Sequence, residues 1–358
     1  MAKRKAEIVN KPTKKPHKSS PEVQFSICLP SSLISYANAS NLEQITNIAY
    51  QVAKAATIYN VPEIIILDVP TIDAQYEILE SKANKAVKID KKIKFNEILE
   101  PPVQQQIVPN QPQNVQENHN NHELFESLLQ FFITPPYLVK AMLKDNKYTK
   151  KFKYAQTLPK LSTLPFMGNN GTHNDFKEGL SIPKKSPGNK KQRNKLKVTK
   201  YVNIGHAQPF ELTQEVPVNV RVTVDLKNKT IVSPLHAYGV IGYKSSFGYH
   251  TRIARNFNEI FTKSAFPTGY TSSIYVNCAN YFSSEPADTT NNIQLNSSEN
   301  NRVLLVFGNP KDLEFSFKQD KSLSVPSFTD LFDQKLCIPP TIKVEDAVLI
   351  ALTKLYNL

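Results

Sequence analysis

The segment RVLLVFGNPKDLE, Arg302 to Glu314, is the sharpest chemical feature of the chain: a buried apolar run stops at Gly308-Asn309-Pro310. Glycine lets a backbone approach a ligand closely or take a positive φ. Ligands of α/β sheets bind beyond the carboxyl ends of strands. Taken alone, an ordinary strand-to-turn transition is the simpler explanation. A second concentration of chemistry is electrostatic. Between Glu178 and Glu211 no acid occurs, while Lys184, Lys185, Lys190, Lys191, Arg193, Lys195, Lys197 and Lys200 cluster. Such a run is a solvated loop or a phosphate contact, and the basic character of the whole chain favours contact with RNA. The rings of Phe152, Tyr154 and Tyr201 flank or enter this stretch and suit either stacking on unpaired bases or a core. Other chemistries lack their residues. The 10 glycines form neither a GxGxxG nor a GxxxxGK pattern. Cys28, Cys278 and Cys337 contain no CxxC, which argues against a zinc ribbon or disulfide scaffold and suits a reducing compartment. No metal cluster or nucleophilic triad is recognisable.

The elements that must position these residues change character along the chain. Phe25, Ile27 and Leu29 alternate with polar neighbours up to Pro30, a short strand. Ser40 and Glu43 read as a capping box before a helical stripe from Leu42 to Ala55. Ile64 to Leu67 is a β-branched run suited to a strand buried on both faces. Strand, helix, strand is the opening of a parallel sheet. Residues 71–123 break the pattern with a Gln/Asn/Pro-rich stretch and read as a flexible insertion. A helix resumes near Leu124. Residues 151–240 read as a small antiparallel β domain, with alternation at Val218, Val220, Val222 and Val224 and a further strand at Ile231-Val232. The α/β pattern then returns. Ile253, Phe257, Ile260 and Phe261 give a helix stripe, Ser273–Asn277 and Val303–Phe307 are strands, and Val344 to Leu355 is a terminal helix.

The 358 residues carry 44 Lys+Arg against 31 Asp+Glu, a net charge of +13, which calls for an acidic partner, nucleic acid before membrane. Residues 1–22 form a basic tail, with seven Lys/Arg and one acid up to Lys18. It reads as a nuclear, even nucleolar, targeting segment or as a plain solubilising tail. No apolar run is long enough to span a bilayer.

The order FSICLPSSLI, PPYLVK, GYHTRIARNFNEIF, PSFTDLFD and CIPPTIKVEDAVLIALTKL resembles the eukaryotic and archaeal branch of the SPOUT methyltransferases, RNA methyltransferases with an OB-like insertion. The resemblance covers most of residues 23–70, the stretch 135–140 and nearly all of 240–358. It implies an α/β fold in which a parallel sheet (23–150 and 241–358) ends in a C-terminal trefoil knot and is interrupted by the β domain. It implies a homodimer, and S-adenosyl-L-methionine held largely by backbone groups of three loops: Val276 and Asn277; Phe307, Gly308 and Asn309; Cys337, Ile338, Pro339 and Thr341. It implies Arg252 as the residue that orients the RNA, with Arg255 second. No metal or membrane partner is implied. His250 suits a proton shuttle or a surface group. The implied activity is methylation of a base in ribosomal or other structured RNA. Here the glycines of the family pattern are fewer, CIPPTIKVEDA and SSIYVNCAN lacking theirs. A second reading therefore stays open: an RNA-binding or ribosome-assembly factor without transferase activity.

Overall fold

A computed structural model describes residues 23–70, 75, 120–167, 173–183, 197–278, 293–295, 301–339 and 342–356. Strand β1 (Gln24–Pro30) leads through helix α1 (Leu42–Ile58) to β2 (Glu63–Leu67). The start of α1 lies one residue later than the capping box implied. Asn41 is the N-cap, its side chain accepting from the Gln44 N–H at 2.9 Å, and Gln44 reaches back to the Ser40 N–H. Helix α2 (Asn121–Phe132) follows. Five strands then form a sheet of their own: β3 (Phe176–Ser181), β4 (Val198–Asn203), β5 (Phe210–Pro217), β6 (Arg221–Asp225) and β7 (Thr230–Val232). Helix α3 (Pro234–Ser245), strands β8 (His250–Ala254), β9 (Ser272–Asn277) and β10 (Arg302–Gly308), helix α4 (Pro310–Gln319), strand β11 (Gln334–Cys337) and helix α5 (Val344–Tyr356) complete the order.

The first sheet is parallel throughout, in the order β11-β9-β10-β1-β2-β8. Its central strands are apolar on both faces because both faces are covered. Ile27, Leu29, Ile64 and Ile66 pack under α1, α2 and α5 in the larger core. Cys28, Ile65, Leu67, Leu304 and Val306 pack on the opposite face with Leu313 and Phe317 of α4. β11 lies at one edge outside β9, and the chain then returns to lay α5 against α1 and β10.

The second sheet is antiparallel, in the order β5-β4-β3-β6-β7, and it curls nearly closed. The Thr213 N–H of β5 donates to the Lys229 carbonyl beside β7 at 2.9 Å. Val202, Ile204, Leu212, Val222 and Val224 fill its interior. This nearly barrel-like sheet is consistent with an OB-like insertion. Its strands differ from the valine alternation in one respect. Val218 and Val220 sit in the turn between β5 and β6, where Asn219 has φ 63°, so that strand pattern begins only at Arg221.

Two further sequence expectations change. The stripe from Ile253 to Phe261 is not one helix: His250–Ala254 pairs with β2, and a separate helical turn spans Glu259–Thr262. Ile253 packs on one face of the sheet while Phe257 and Ile260 pack on the other. The stretch 71–123 falls largely outside the described residues, but its last three residues already belong to α2.

Candidate functional site at the carboxyl edge of the parallel sheet

Three of the expected loops meet. Asn277 is the register partner of both Gly308 and Cys337, so the ends of β9, β10 and β11 stand side by side. The Cys278 N–H donates to the Gly308 carbonyl at 3.1 Å, tying the first two loops together. Val276 and Phe307 are fully buried register partners near the ends of β9 and β10, so their side chains belong to the core. Gly308 has a packing reason: a Cβ there would meet Leu313 of α4 at 3.0 Å. Asn309 caps α4, accepting from the Lys311 N–H at 3.1 Å, and Pro310 takes the first helical position. Asp312 in the same turn accepts the Ser32 hydroxyl at 2.6 Å, linking α4 to the end of β1. Ile338 is half-buried and Pro339 exposed after Cys337, whose carbonyl accepts from Lys354 Nζ at 3.2 Å. Thr341 lies outside the described residues.

Sequence reasoning did not single out Glu345 as a site residue. It is buried at the start of α5, and burial raises its carboxyl above the ordinary range. It is close enough to Cys278 to push that thiol up further. Burial is the larger cause, and the Cys278 thiol stands at about 12. Cys28, beneath the sheet, is likewise pushed up to about 12 by burial. Neither is a thiolate nucleophile at neutral pH.

The two arginines have different surroundings. Arg252, on β8, is committed within the protein. Its Nε donates to Glu63 Oε1 at 2.8 Å, its terminal nitrogens donate to the Glu259 and Ile260 carbonyls at 2.9 and 2.8 Å, and a further bond reaches the Tyr270 hydroxyl at 3.2 Å. Glu63 is fully buried and also accepts the Tyr270 hydroxyl at 2.6 Å. Arg252 therefore locks the edge strand β8 and the Glu259–Thr262 turn onto β2. Arg255 lies just past the carboxyl end of β8 and is exposed. Its N–H donates to Glu259 Oε2 at 3.0 Å, and its guanidinium makes no hydrogen bond among the described residues.

A polar group beside that strand end had no sequence signal strong enough to find it. The Asp68 N–H donates to the Ala254 carbonyl at 2.8 Å, and Asp68 Oδ1 lies 2.8 Å from His122 Nδ1. Glu126, one turn further along α2, accepts from Thr251 Oγ1 at 3.2 Å, and Gln130 Nε2 donates to the same oxygen. Burial raises the Glu126 carboxyl, while the Thr251 hydrogen bond and His250 and His122 oppose it. The i, i+4, i+8 series His122, Glu126, Gln130 on an apolar helix was the available clue. It was hidden because His122 closes an Asn/His-rich run that reads as loop. His250 itself is exposed in β8, paired in register with Glu63.

Of the basic cluster, Lys197 is exposed just before β4 and Lys200 is exposed within it. Lys184, Lys185, Lys190, Lys191, Arg193 and Lys195 lie outside the described residues. Phe152 is wholly buried against Phe131 of α2, so it is a core residue and cannot stack on a base. Tyr154 and Tyr201 are half-buried. Arg221 of β6 forms a buried ion pair inside the second sheet and from there reaches out to the chain on either side of it. Arg221 Nε donates to Glu178 Oε2 at 3.2 Å, and its guanidinium stacks between Phe166 and Phe247 and donates to the Ile133 and Phe247 carbonyls. Among the described residues no group of His, Cys, Asp or Glu is placed to hold a metal ion, and no helix is long and apolar enough to cross a membrane.

A parallel sheet whose strands β9, β10 and β11 end side by side, joined to an antiparallel and nearly closed β module, defines an α/β protein with an OB-like insertion. The chain belongs to the family described as putative RNA methyltransferase, whose model matches residues 24–355. A putative methyltransferase of Saccharomyces cerevisiae is 34% identical over 340 residues, which cover 92% of this chain and 93% of that protein. A second one from the same yeast is 31% identical, covering 92% and 87%. The 28S rRNA (uridine-N(3))-methyltransferase of Drosophila melanogaster is 26% identical, covering 92% of this chain and 61% of that protein.

Proposed function

We propose that this chain transfers a methyl group from S-adenosyl-L-methionine to a base of ribosomal RNA, N3 of a uridine being the atom favoured by the name of the Drosophila relative, a uridine-N(3)-methyltransferase. The observation that carries the reading is the side-by-side placement of Asn277, Gly308 and Cys337 at one strand edge. The fit to the cofactor rests on what that edge presents. Val276 and Phe307 turn their side chains into the core and are paired within the sheet, so contact with a bent nucleoside would fall mainly to the chain that follows them. Bound there, the cofactor supplies an activated methyl group. The protein's part is then positioning and exclusion of water. Val276, Asn277, Phe307, Gly308, Asn309, Cys337, Ile338, Pro339 and Thr341 would line that place, and Lys354 steadies the third loop through the Cys337 carbonyl.

Arg252 enters this reading as a positioning residue, because its donors hold β8 in place. Arg255, exposed at the end of the same strand, is the arginine that meets the RNA. His122, oriented by Asp68, stands beside that strand end as a proton acceptor. β8 is three strands from β10, roughly 14 Å at ordinary strand spacing. A homodimer that brings a second copy's edge across this distance completes the reading. The return of α5 from the edge strand β11 onto α1 and β10 is the path a threaded C-terminus would take, and we include the trefoil knot in the proposal on that ground. With ribosomal RNA as the substrate, the proposal includes action in the nucleus or nucleolus.

The test is nucleoside mass spectrometry of ribosomal RNA from cells lacking this chain. One methylated nucleoside is expected to disappear and to return with the wild-type chain but not with Arg255→Ala. An unchanged set of methylated nucleosides would favour the second reading, an RNA-binding assembly factor, which the scarcity of glycine at the three loops supports.

A further inference from the structure

A second basic run, apart from the cluster between Glu178 and Glu211, lies on the α/β body. From Lys140 to Lys160 the chain carries seven lysines (Lys140, Lys144, Lys147, Lys150, Lys151, Lys153 and Lys160) against one acid, Asp145. That local excess is about half of the net +13. A run of lysines is most often a solvated face, but three observations set this one apart. First, its framework is rigid. Leu143, Tyr148, Phe152 and Ala155 are buried in the main core between the lysines. Lys150 and Lys153 lie three apart in the 3₁₀ turn Thr149–Lys153, where side chains at that spacing eclipse. Second, two of the lysines are laid over rings: Lys153 Nζ is 4.5 Å from the centre of Tyr154, and Lys147, ion-paired to Glu123, is 5.1 Å from that of Tyr148. Third, the run continues onto the β module. Tyr137, three residues before Lys140, packs on Gly205, and its ring lies under Lys177 Nζ at 4.9 Å. Lys177 in turn sits 3.3 Å from His206 Nε2.

We propose that Lys140, Lys144, Lys150 and Lys153, continued by Lys177 and His206 across the seam between the sheets, form one track for the phosphate backbone of RNA. The proposal rests on the RNA-binding half of the function above and names the surface that does it. Ammonium groups that meet phosphates set register and affinity and leave sequence choice to the β module and the strand edge. A folded RNA bridging both sheets would also fix the angle at which its target nucleotide reaches the carboxyl edge.

The test uses the full chain with Lys140, Lys144, Lys150 and Lys153 all changed to Gln, bound to total ribosomal RNA without cofactor between about 50 and 200 mM KCl. Exposed substitutions of this kind leave the fold intact, which a thermal melt checks. The log–log salt slope should become shallower by roughly one unit for each lysine that touches a phosphate, with affinity at the lower salt at least about tenfold weaker. An unchanged slope and affinity would overturn the track. So would loss of binding to phosphatidylserine vesicles with RNA binding intact, which would make this a membrane-facing surface. Because no cofactor is present, the slope reads the track even where methyl transfer fails. A shallower slope in a chain that transfers no methyl group keeps the track and removes the transferase.

Discussion

Two arginines three residues apart differ in their surroundings, and the proposed function gives them different roles. Arg252 is enclosed by Glu63, Tyr270 and two carbonyls, whereas Arg255 projects from the end of β8. Arg252→Ala leaves the wholly buried Glu63 without its cation and should cost about 3–5 kcal/mol in urea unfolding. Arg255→Ala should change stability by less than about 0.5 kcal/mol while abolishing methyl transfer. Equal stability loss in both variants would contradict the division of roles. Glu126 gives a pH-dependent test. Burial raises its folded-state affinity for a proton above that of the unfolded chain. The stabilisation is therefore complete below the ordinary carboxylate range and is lost as pH rises through the raised value. The melting temperature of the wild-type chain should fall more than that of Glu126→Gln between about pH 4 and 7. Parallel curves would show that the carboxyl is not buried as described. The arginine pair was legible in the sequence as a pair but not by role, because nothing in HTRIARNF tells which side chain meets a buried glutamate 189 positions earlier.

At the scale of elements, most strands were legible because burial on both faces leaves an uninterrupted apolar run, as at Ile64–Leu67 and Val303–Phe307. β8 was not. It is an edge strand covered by α2 on one side and by the Glu259–Thr262 turn on the other, so polar and apolar residues alternate irregularly and merge with the turn into a false helical stripe. The turn at Val218–Val220 was misread for the related reason that valines in a loop keep a strand-like spacing. The seam between the sheets rests on Gly205, which has φ +82° and would place a Cβ 2.6 Å from Tyr137. Gly205→Ala is both strained and crowded, and should cost about 1–3 kcal/mol. Amide hydrogen exchange should then rise in β3 and β4 before it rises in β1 or β2. Uniform exchange across both sheets would show that Gly205 does not govern the seam.

For the whole molecule, composition pointed toward a polyanion partner, and pattern foretold an α/β body carrying a β insertion. The order of short motifs gave the family. Spatial pairing was out of reach of pattern: the joining of Asn277, Gly308 and Cys337 depends on a strand order in which β9, β10 and β11 are neighbours, and only the assembled sheet makes it visible. The lysine track was hidden for the opposite reason. Its residues are spread among the apolar anchors of a core segment, so no block of like charge stands out. The proposed transferase activity depends on the strand edge being a methyl-donor site. The direct measurement is transfer of labelled methyl from S-adenosyl-L-methionine to ribosomal RNA by the purified chain, with the product resolved by nucleoside chromatography. Label in one base-methylated nucleoside, N3-methyluridine by the reading given, is the predicted result. Absence of label together with absence of saturable S-adenosyl-L-methionine binding, in protein that still binds the RNA, would contradict it.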